Sequence, residues 1–343
     1  MKKYTVMIIY GGEGYESEIS KSSACLFEKI KKDDRFLPIF VYISKDGRWY
    51  LSKKSTVSDD PCELEPLVLS RGGFVSGARY VSVDLALAVM HGDRGEDGYI
   101  TACLSHFKIK SIGSPYYTAS LVRDKAAVKL FARDIGIDTA DFAYFPEGKI
   151  PTEGELSAIV RSLGFPLFVK PRRLGSSVGA SRADNMSELI SAVNRAGVPF
   201  SGGVIIERFV PARFEAECGF LEDAEGEKFS VGAVLTEGRE YSYERKYLGL
   251  DGIRAIDHYP EDPSERDIII ERSRRLVEAL GIRRMCRVDF FVTRDSRIIF
   301  NEINLIPGFT EESLFPRLFF GGDLSLADWL YRVCERELGF GEW

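Results

Sequence analysis

Strand-forming and helix-forming stretches alternate through the first third of the chain, and that alternation leaves few architectures open. Val6–Tyr10 is a β-rich run that breaks straight into Gly11-Gly12, so it reads as a first strand and not as a signal peptide. Residues Ser20 to Lys32 have helical spacing, with Ala24, Leu26, Phe27 and Ile30 on one side. Phe36 to Ser44 reads as a second strand, and Lys45-Asp46-Gly47-Arg48 as a turn into Trp49-Tyr50-Leu51. The stretch Ser55 to Gly77 holds Pro61, Pro66, Gly72 and Gly73 and reads as an irregular surface excursion. Asp84 to Met90 is apolar and leads into His91-Gly92. Together these predict an α/β chain that opens with a doubly wound sheet.

The remainder is mixed. Asp124 opens a helix to Arg133 that stops near Gly136, and another helix spans about Glu153 to Leu163. Leu189, Ala192, Val193 and Ala196 recur at helical spacing, and Gly197 ends that helix. Leu167–Pro171, Val204–Val210 and Glu215–Leu221 read as strands. Asp262-Pro263-Ser264-Glu265 is a helix start, with a capping Asp, Pro at the first helical position and Glu three after the cap. Strands at about Cys286–Val292 and Ile298–Glu302 follow, then a closing helix from Leu324 to Leu338.

Composition excludes several classes of function. The 343 residues carry 46 Lys plus Arg against 52 Asp plus Glu, a net charge of −6, without the basic excess of a nucleic-acid partner. No apolar run reaches the roughly 18 residues of a membrane span. The six cysteines, at 25, 62, 103, 218, 286 and 334, form no CxxC and read as reduced, mostly buried thiols of a cytosolic protein. Only three histidines exist, so a metal here is expected to be a hard cation held by oxygen.

Five clusters can carry chemistry. In Arg287-Val288-Asp289-Phe290-Phe291, alternation sets Arg287 and Asp289 on one face; Glu302 and Asn304 share a face likewise. If the two strands pair, three oxygen ligands meet one Arg, a set suited to Mg²⁺ with substrate phosphates completing its shell; otherwise it is a solvated face with a salt bridge. Lys170-Pro171-Arg172-Arg173-Leu174-Gly175-Ser176-Ser177-Val178-Gly179 offers free N–H groups and a cation to a phosphate, or is an ordinary loop; it is not a Walker A sequence. His91 to Gly98 and Gly11 to Ser20 are glycine-rich turns at strand ends, where α/β sheets place ligands. Tyr241 to Tyr247 is a charged strand or a lid loop.

The order of these blocks resembles the D-alanine–D-alanine ligase family of the ATP-grasp superfamily, from Gly11 to about Pro316. The matching blocks are GG…E…S near the start, HGxxGEDG at 91–98, DK at 124–125 and VKP…GSSVG at 169–179. They continue with YxYExKY at 241–247, RVDFF at 287–291 and NEIN…PGFTxxS at 301–313. The resemblance implies an N-terminal Rossmann-like domain (1–117), a central domain (118–209) and a C-terminal domain (210–343), with ATP sandwiched between the last two. It implies Lys125 and Lys170 on the phosphates, the backbone of Glu207, Arg208, Phe209 and Val210 on the adenine, and Glu215 on the ribose. Glu215 stands one residue further from Glu207 than the usual pattern. Asp289, Glu302 and Asn304 match ligands of two Mg²⁺ ions, with Mn²⁺ able to stand in.

The resemblance further implies a first carboxylate phosphorylated to an acyl phosphate and attacked by a second amine. Arg287, Lys246 and the N–H of Gly308 match the groups that stabilise the growing charge. Glu16 matches the carboxylate that holds the first D-alanine's ammonium, and Ser176 and Tyr247 its partners in a network closing the lid. By the same resemblance, His91 matches the family's active-site His near the first D-alanine, and Ser313 and Leu314 match the positions that hold the second carboxylate. The expected product is D-alanyl-D-alanine, a peptidoglycan precursor, made by a cytoplasmic homodimer from D-alanine and ATP without nucleic acid or membrane partners. A ligase making D-alanyl-D-serine or another dipeptide, and a catalytically silent nucleotide-binding relative, are the alternatives. Departures from the family pattern stand at Gly14, Ser17, Thr101-Ala102, Asp257-His258 and Leu305.

Overall fold

The structure is a computed structural model and describes residues 3–52, 64–197, 202–235, 254–259, 262–310 and 312–339. Its first sheet grows around Tyr4–Gly11 (β1), which is buried along almost its whole length, as a strand covered on both faces must be. Phe36–Ile43 (β2) pairs parallel to one edge of β1. The next strands are Trp49–Ser52 (β3), Glu65–Ser70 (β4), Gly73–Ser76 (β5) and Arg79–Ser82 (β6), and they add antiparallel beyond β2. Leu85–Ala88 (β7) and Ser111–Ile112 (β8) extend the parallel part on the other side of β1. The sheet order is β6-β5-β4-β3-β2-β1-β7-β8.

The helix expected from Ser20 to Lys32 is a helix at Ser17–Leu26 (α1) that tightens into a 3₁₀ turn at Phe27–Lys32. The expectation of an irregular excursion over 55–77 is corrected. Residues 53–63 lie outside those described, but β4 and β5 form a hairpin whose turn uses Gly72 at a φ of 73°. Pro66 is accommodated because β3 and β4 pair over only two residues, so its missing N–H breaks no long ladder. The glycines and prolines here mark turns and strand starts, not an absence of strands.

Tyr99–His106 (α2) crosses from β7 to β8 within this sheet, and Tyr116–Arg123 (α3), followed at once by Lys125–Asp134 (α4), leads to the rest. A second, antiparallel sheet comprises Phe142–Phe145 (β9), Leu167–Pro171 (β10), Ser181–Ala183 (β11) and Val204–Arg208 (β12), in the order β11-β10-β12-β9. Its apolar face is covered by Glu153–Leu163 (α5) and Met186–Gly197 (α6), which bury Leu156, Leu189, Ala192 and Val193. A reciprocal capping box between Thr152 and Glu155 starts α5.

The third sheet is antiparallel: Ala212–Asp223 (β13), Gly226–Leu235 (β14), Arg254–Ile256 (β15), Met285–Thr293 (β16) and Ile298–Asn304 (β17), ordered β15-β14-β13-β16-β17. Pro263–Leu280 (α7) packs Ile269, Leu276 and Val277 on one face of it, with Val128 and Ala132 of α4 in the same core. Leu314–Phe319 (α8) and Leu326–Gly339 (α9) close the chain. Trp329 of α9 is fully buried in a core that joins Val6 and Ile8 of the first sheet to Leu221 and Met285 of the third. Truncating such an aromatic typically costs about 3–5 kcal/mol. That shared core fixes the first sheet against the third. Of the described cysteines, Cys218, Cys286 and Cys334 are buried, Cys25 is exposed and Cys103 is intermediate; all are free thiols.

Candidate active site

The centre of the site follows from antiparallel register. Asp289 of β16 faces Glu302 of β17, and Arg287 faces Asn304, so alternation puts all four on one face. Arg287 donates to both Asp289 oxygens, each at 2.7 Å, and Asn304 Nδ2 donates to Asp289 Oδ2 at 3.0 Å. Glu217 on neighbouring β13 lies 3.4 Å from Arg287. Burial raises the Asp289 carboxyl to about 6; Arg287 opposes that shift, and Glu217 and Glu302 add to it. The register slips next to this pair, leaving Asn301 as an extra residue on β17. Asn301 and Glu302 consequently both line a cavity of about 630 Å³ between the second and third sheets.

Lysines bring cations to the same cavity. Lys125 opens α4, is buried, and donates to the Leu174 carbonyl, with Glu302 at 3.6 Å. Its ammonium pKa is lowered by burial, against the pull of Glu302. Lys170, next to last in β10, donates to Asn301 Oδ1 at 3.0 Å, with Glu207 at 2.9 Å. Burial works against its charge, but Glu207 and Glu302 outweigh it and hold its pKa above the ordinary value. Glu207 is itself shared. Lys129, fully buried one helical turn after Lys125, lies 3.0 Å from its Oε1.

Arg208, Phe209, Val210 and Glu215 also line the cavity. The N–H groups of Arg208 and Phe209 are already committed, to the carbonyls of Asp141 at 2.8 Å and Pro166 at 3.0 Å. The extra residue before Glu215 has a structural counterpart: β13 is irregular between Ala212 and Phe214, so Arg213 is bulged and the alternation is reset. Glu215 thereby faces the cavity despite its longer spacing.

A second cluster adjoins the first. Glu16, at the N-terminus of α1, makes no side-chain cap bond to the helix; its Oε1 accepts from Ser176 Oγ. Ser176 takes a left-handed φ of 53°, which turns its hydroxyl to that carboxylate. Glu16 is buried, and burial, then the Glu96 carboxylate, raise its pKa against the opposing Arg123. Gly92 has a φ of 77°, and a Cβ there would lie 2.5 Å from Glu16 Oε2, so only glycine fits. His91 Nε2 is 2.9 Å from Ser23 Oγ, which also accepts the Phe309 N–H at 3.3 Å and so ties His91 to the turn holding Gly308.

Ser313 does not face the 630 Å³ cavity. Its Oγ accepts from Thr310 N at 3.2 Å and sits beside Gly308, while Leu314 packs under Gly232 of β14. Lys246 and Tyr247 lie outside the described residues, as does the whole 241–247 segment. Among the described residues no group of three or more His, Cys, Asp or Glu side chains stands ready for a metal. The donor chemistry still fits a hard cation: two carboxylates and an amide oxygen on one face, crowded with negative charge, next to phosphate-sized space.

Sequence reasoning gave no individual role to Lys129, Asn301, Glu96, Arg123 or Ser23, although Asn301 and Glu96 stand inside the quoted motifs. Lys129 had a signal, since it lies at i+4 from Lys125 and shares its face of α4. Asn301 stands in the NEIN motif, but its facing the cavity was not legible, because a bulge cannot be read from alternation. No described helix is long and apolar enough to cross a membrane.

Residues 5–114 match the family described as D-ala D-ala ligase N-terminus, and residues 131–333 match D-ala D-ala ligase C-terminus. D-alanine–D-alanine ligase A of Chromobacterium violaceum is 32% identical over 99% of this chain and 97% of its own length. The ligase A of Escherichia coli K12 is 30% identical over 98% of this chain and 96% of its own. Among solved structures, the VanG D-Ala:D-Ser ligase of Enterococcus faecalis superposes with a TM-score of 0.83 at 28% identity, covering 97% of this chain and 98% of that one. D-alanyl-alanine synthetase A of Vibrio cholerae shares the fold, with a TM-score of 0.85 at 24% identity over 98% of both chains. With the ATP-grasp fold and both halves of the sequence in agreement, the chain belongs to the D-alanine–D-alanine ligase family.

Proposed function

We propose that this enzyme joins two D-alanine molecules into D-alanyl-D-alanine, converting ATP to ADP and phosphate. The observation that carries this reading is the meeting of Lys125, Lys170, Asp289 and Glu302 on one nucleotide-sized cavity, with Arg287 paired to Asp289 behind its wall and the buried Glu16–Ser176 pair adjoining. Lys125 and Glu302 border both that cavity and a small pocket lined by Gly175, Arg123 and Glu96, so the two clusters are neighbours.

The chemistry assigns each group a task. A carboxylate and an amine do not condense unaided in water. Glu16 holds the ammonium of the first D-alanine, leaving its carboxylate toward Lys125 and Glu302. An oxygen of that carboxylate bonds to the γ-phosphorus, ADP leaves, and an acyl phosphate remains. Lys125 and Lys170 offset the charge on the phosphates. The amine of the second D-alanine attacks the acyl carbon, loses a proton, and the tetrahedral intermediate expels phosphate. Arg287 and the Gly308 N–H hold the oxyanion, and Ser313 and Leu314 the second carboxylate. Lys246 supports the phosphate, and Tyr247 completes the network with Glu16 and Ser176. His91 borders the first substrate. Glu215 takes the ribose hydroxyls, and the Glu207–Val210 backbone the adenine. Asp289, Glu302 and Asn304 would hold two Mg²⁺ ions, which supply charge neutralisation for the triphosphate.

The proposed domain limits are 1–117, 118–209 and 210–343, and the proposed state is a cytoplasmic homodimer. D-serine as second substrate is the competing reading, favoured by the likeness to VanG. One hydroxyl discriminates by only about 1–3 kcal/mol in a pocket not built to bind it. Mass analysis of products from ATP, Mg²⁺ and a panel of D- and L-amino acids and D-lactate tests both readings. D-alanyl-D-alanine as main product is expected; a mixed dipeptide as main product supports the alternative; no amino-acid-dependent ADP formation refutes both.

A further inference from the structure

Arg123 is a buried charge that the reaction just described does not use. It ends α3, two residues before Lys125, and its side chain is 8% exposed. One nitrogen, Nη1, is fixed by Glu96 Oε2 at 2.7 Å, and that same oxygen accepts the Gly92 N–H at 3.2 Å. The guanidinium is thereby anchored from behind to the turn that also abuts Glu16. Its Nε and Nη2 are buried and make no hydrogen bond. Nη2 stands 3.8 Å from Glu16 Oε2, which is likewise buried and makes none, and 3.5 Å from Asp93. Buried polar groups are almost always hydrogen-bonded, so two adjacent orphans of opposite charge call for a ligand.

The complement is an amino acid's own head group. Its ammonium and carboxylate are one carbon apart, so they can pair side by side with a carboxylate and a guanidinium set 3.8 Å apart. Any side chain at Gly175 would crowd this pair, since a Cβ there would lie 3.0 Å from Glu16 Oε1 and 3.5 Å from Arg123 Nη1. Arg123 also lines the small pocket that contains Lys125, Glu302 and Asn304, so a carboxylate on it faces the nucleotide side.

We propose that Arg123 binds the carboxylate of the first amino acid while Glu16 binds its ammonium, the two forming a clamp for a zwitterion. The proposal rests on the ligase reading and sharpens it. The clamp recognises the α-amino acid head group whatever the side chain, so it excludes α-hydroxy acids from the first site and leaves side-chain choice to other residues.

The test is steady-state kinetics of Arg123→Met and Arg123→Lys, with the first and second D-alanine constants separated by varying D-alanine at saturating ATP. Arg123→Met is expected to raise KM for the first D-alanine at least tenfold while KM for ATP stays within twofold. Arg123→Lys is expected to recover part of the loss. Because Arg123→Met leaves Glu96 buried without its cation, the double variant Arg123→Met/Glu96→Gln removes both charges. It is expected to fold with a wild-type melting temperature and keep the raised first KM. An unchanged first KM in either Met-bearing variant overturns the proposal, as does an equal rise in both KM values, which marks a structural role. Absence of D-alanine-dependent turnover in the unmodified enzyme instead refutes the ligase reading.

Discussion

Asp124 does not itself line the 630 Å³ cavity, yet it caps the helix that Lys125 opens. Its Oδ1 accepts the N–H groups of Ala126 at 3.1 Å and Ala127 at 3.2 Å, capping α4. Arg172 grips the same carboxylate with Nε at 3.1 Å and Nη2 at 2.6 Å, and Arg173 reaches it at 3.4 Å. Loss of an N-cap costs about 1 kcal/mol. Loss of charge-assisted bonds to a largely buried guanidinium costs about 1.5–3 kcal/mol more. Asp124→Ala is accordingly expected to lose about 3 kcal/mol in urea denaturation. Asp124→Asn keeps a capping oxygen and loses the charge, so about 2 kcal/mol is expected. Both should raise KM for ATP, Ala by about tenfold, because a frayed first turn no longer fixes Lys125 against Leu174 and Glu302. An Ala variant within about 0.5 kcal/mol of wild type, or with an unchanged KM for ATP, would refute this account of how the lysine is positioned.

Asp289→Asn and Glu302→Gln are each expected to lower kcat by at least a hundredfold with the circular dichroism spectrum intact; near-normal rates in a folded variant defeat the metal assignment. Chelation with EDTA should abolish ADP formation, and added Mg²⁺ should restore it; turnover that survives exhaustive chelation contradicts the same assignment. Lys129 gives a pH signature. Burial, opposed by Glu207, lowers its pKa from 10.5 to about 8, so between these values the unfolded state holds the proton more tightly. Its cost to the fold, about 3 kcal/mol by linkage, applies below about 8 and fades as pH rises toward 10.5. Urea denaturation from pH 7.5 to 10 should show wild type gaining stability relative to Lys129→Met; parallel curves would count against it.

Much of the site was legible because chemistry and register coincide. Arg287, Asp289, Glu302 and Asn304 sit at two-residue spacing on strands, and pairing of β16 with β17 brings them together. The helix starts at Asp124 and Asp262 were legible from capping residues alone, and both carboxylates accept N–H bonds of their helices. The β4–β5 hairpin was not, since glycine and proline signal a turn without saying what flanks it. The bulges at Arg213 and Asn301 were not either, because each is an exception to the alternation used to find strands. Arg123 was missed for a different reason. Its partners Glu16, Asp93 and Glu96 lie far away in sequence, and only the packing of α3 beside the His91 turn brings them near.

The central claim is that Glu16 and Lys125 aim one amino acid's carboxylate at the terminal phosphate of ATP. Turnover of D-alanine labelled with ¹⁸O in its carboxylate tests it most directly. Transfer of one labelled oxygen into inorganic phosphate for each dipeptide formed is the expected result. Phosphate free of label, or label appearing in AMP, would contradict it.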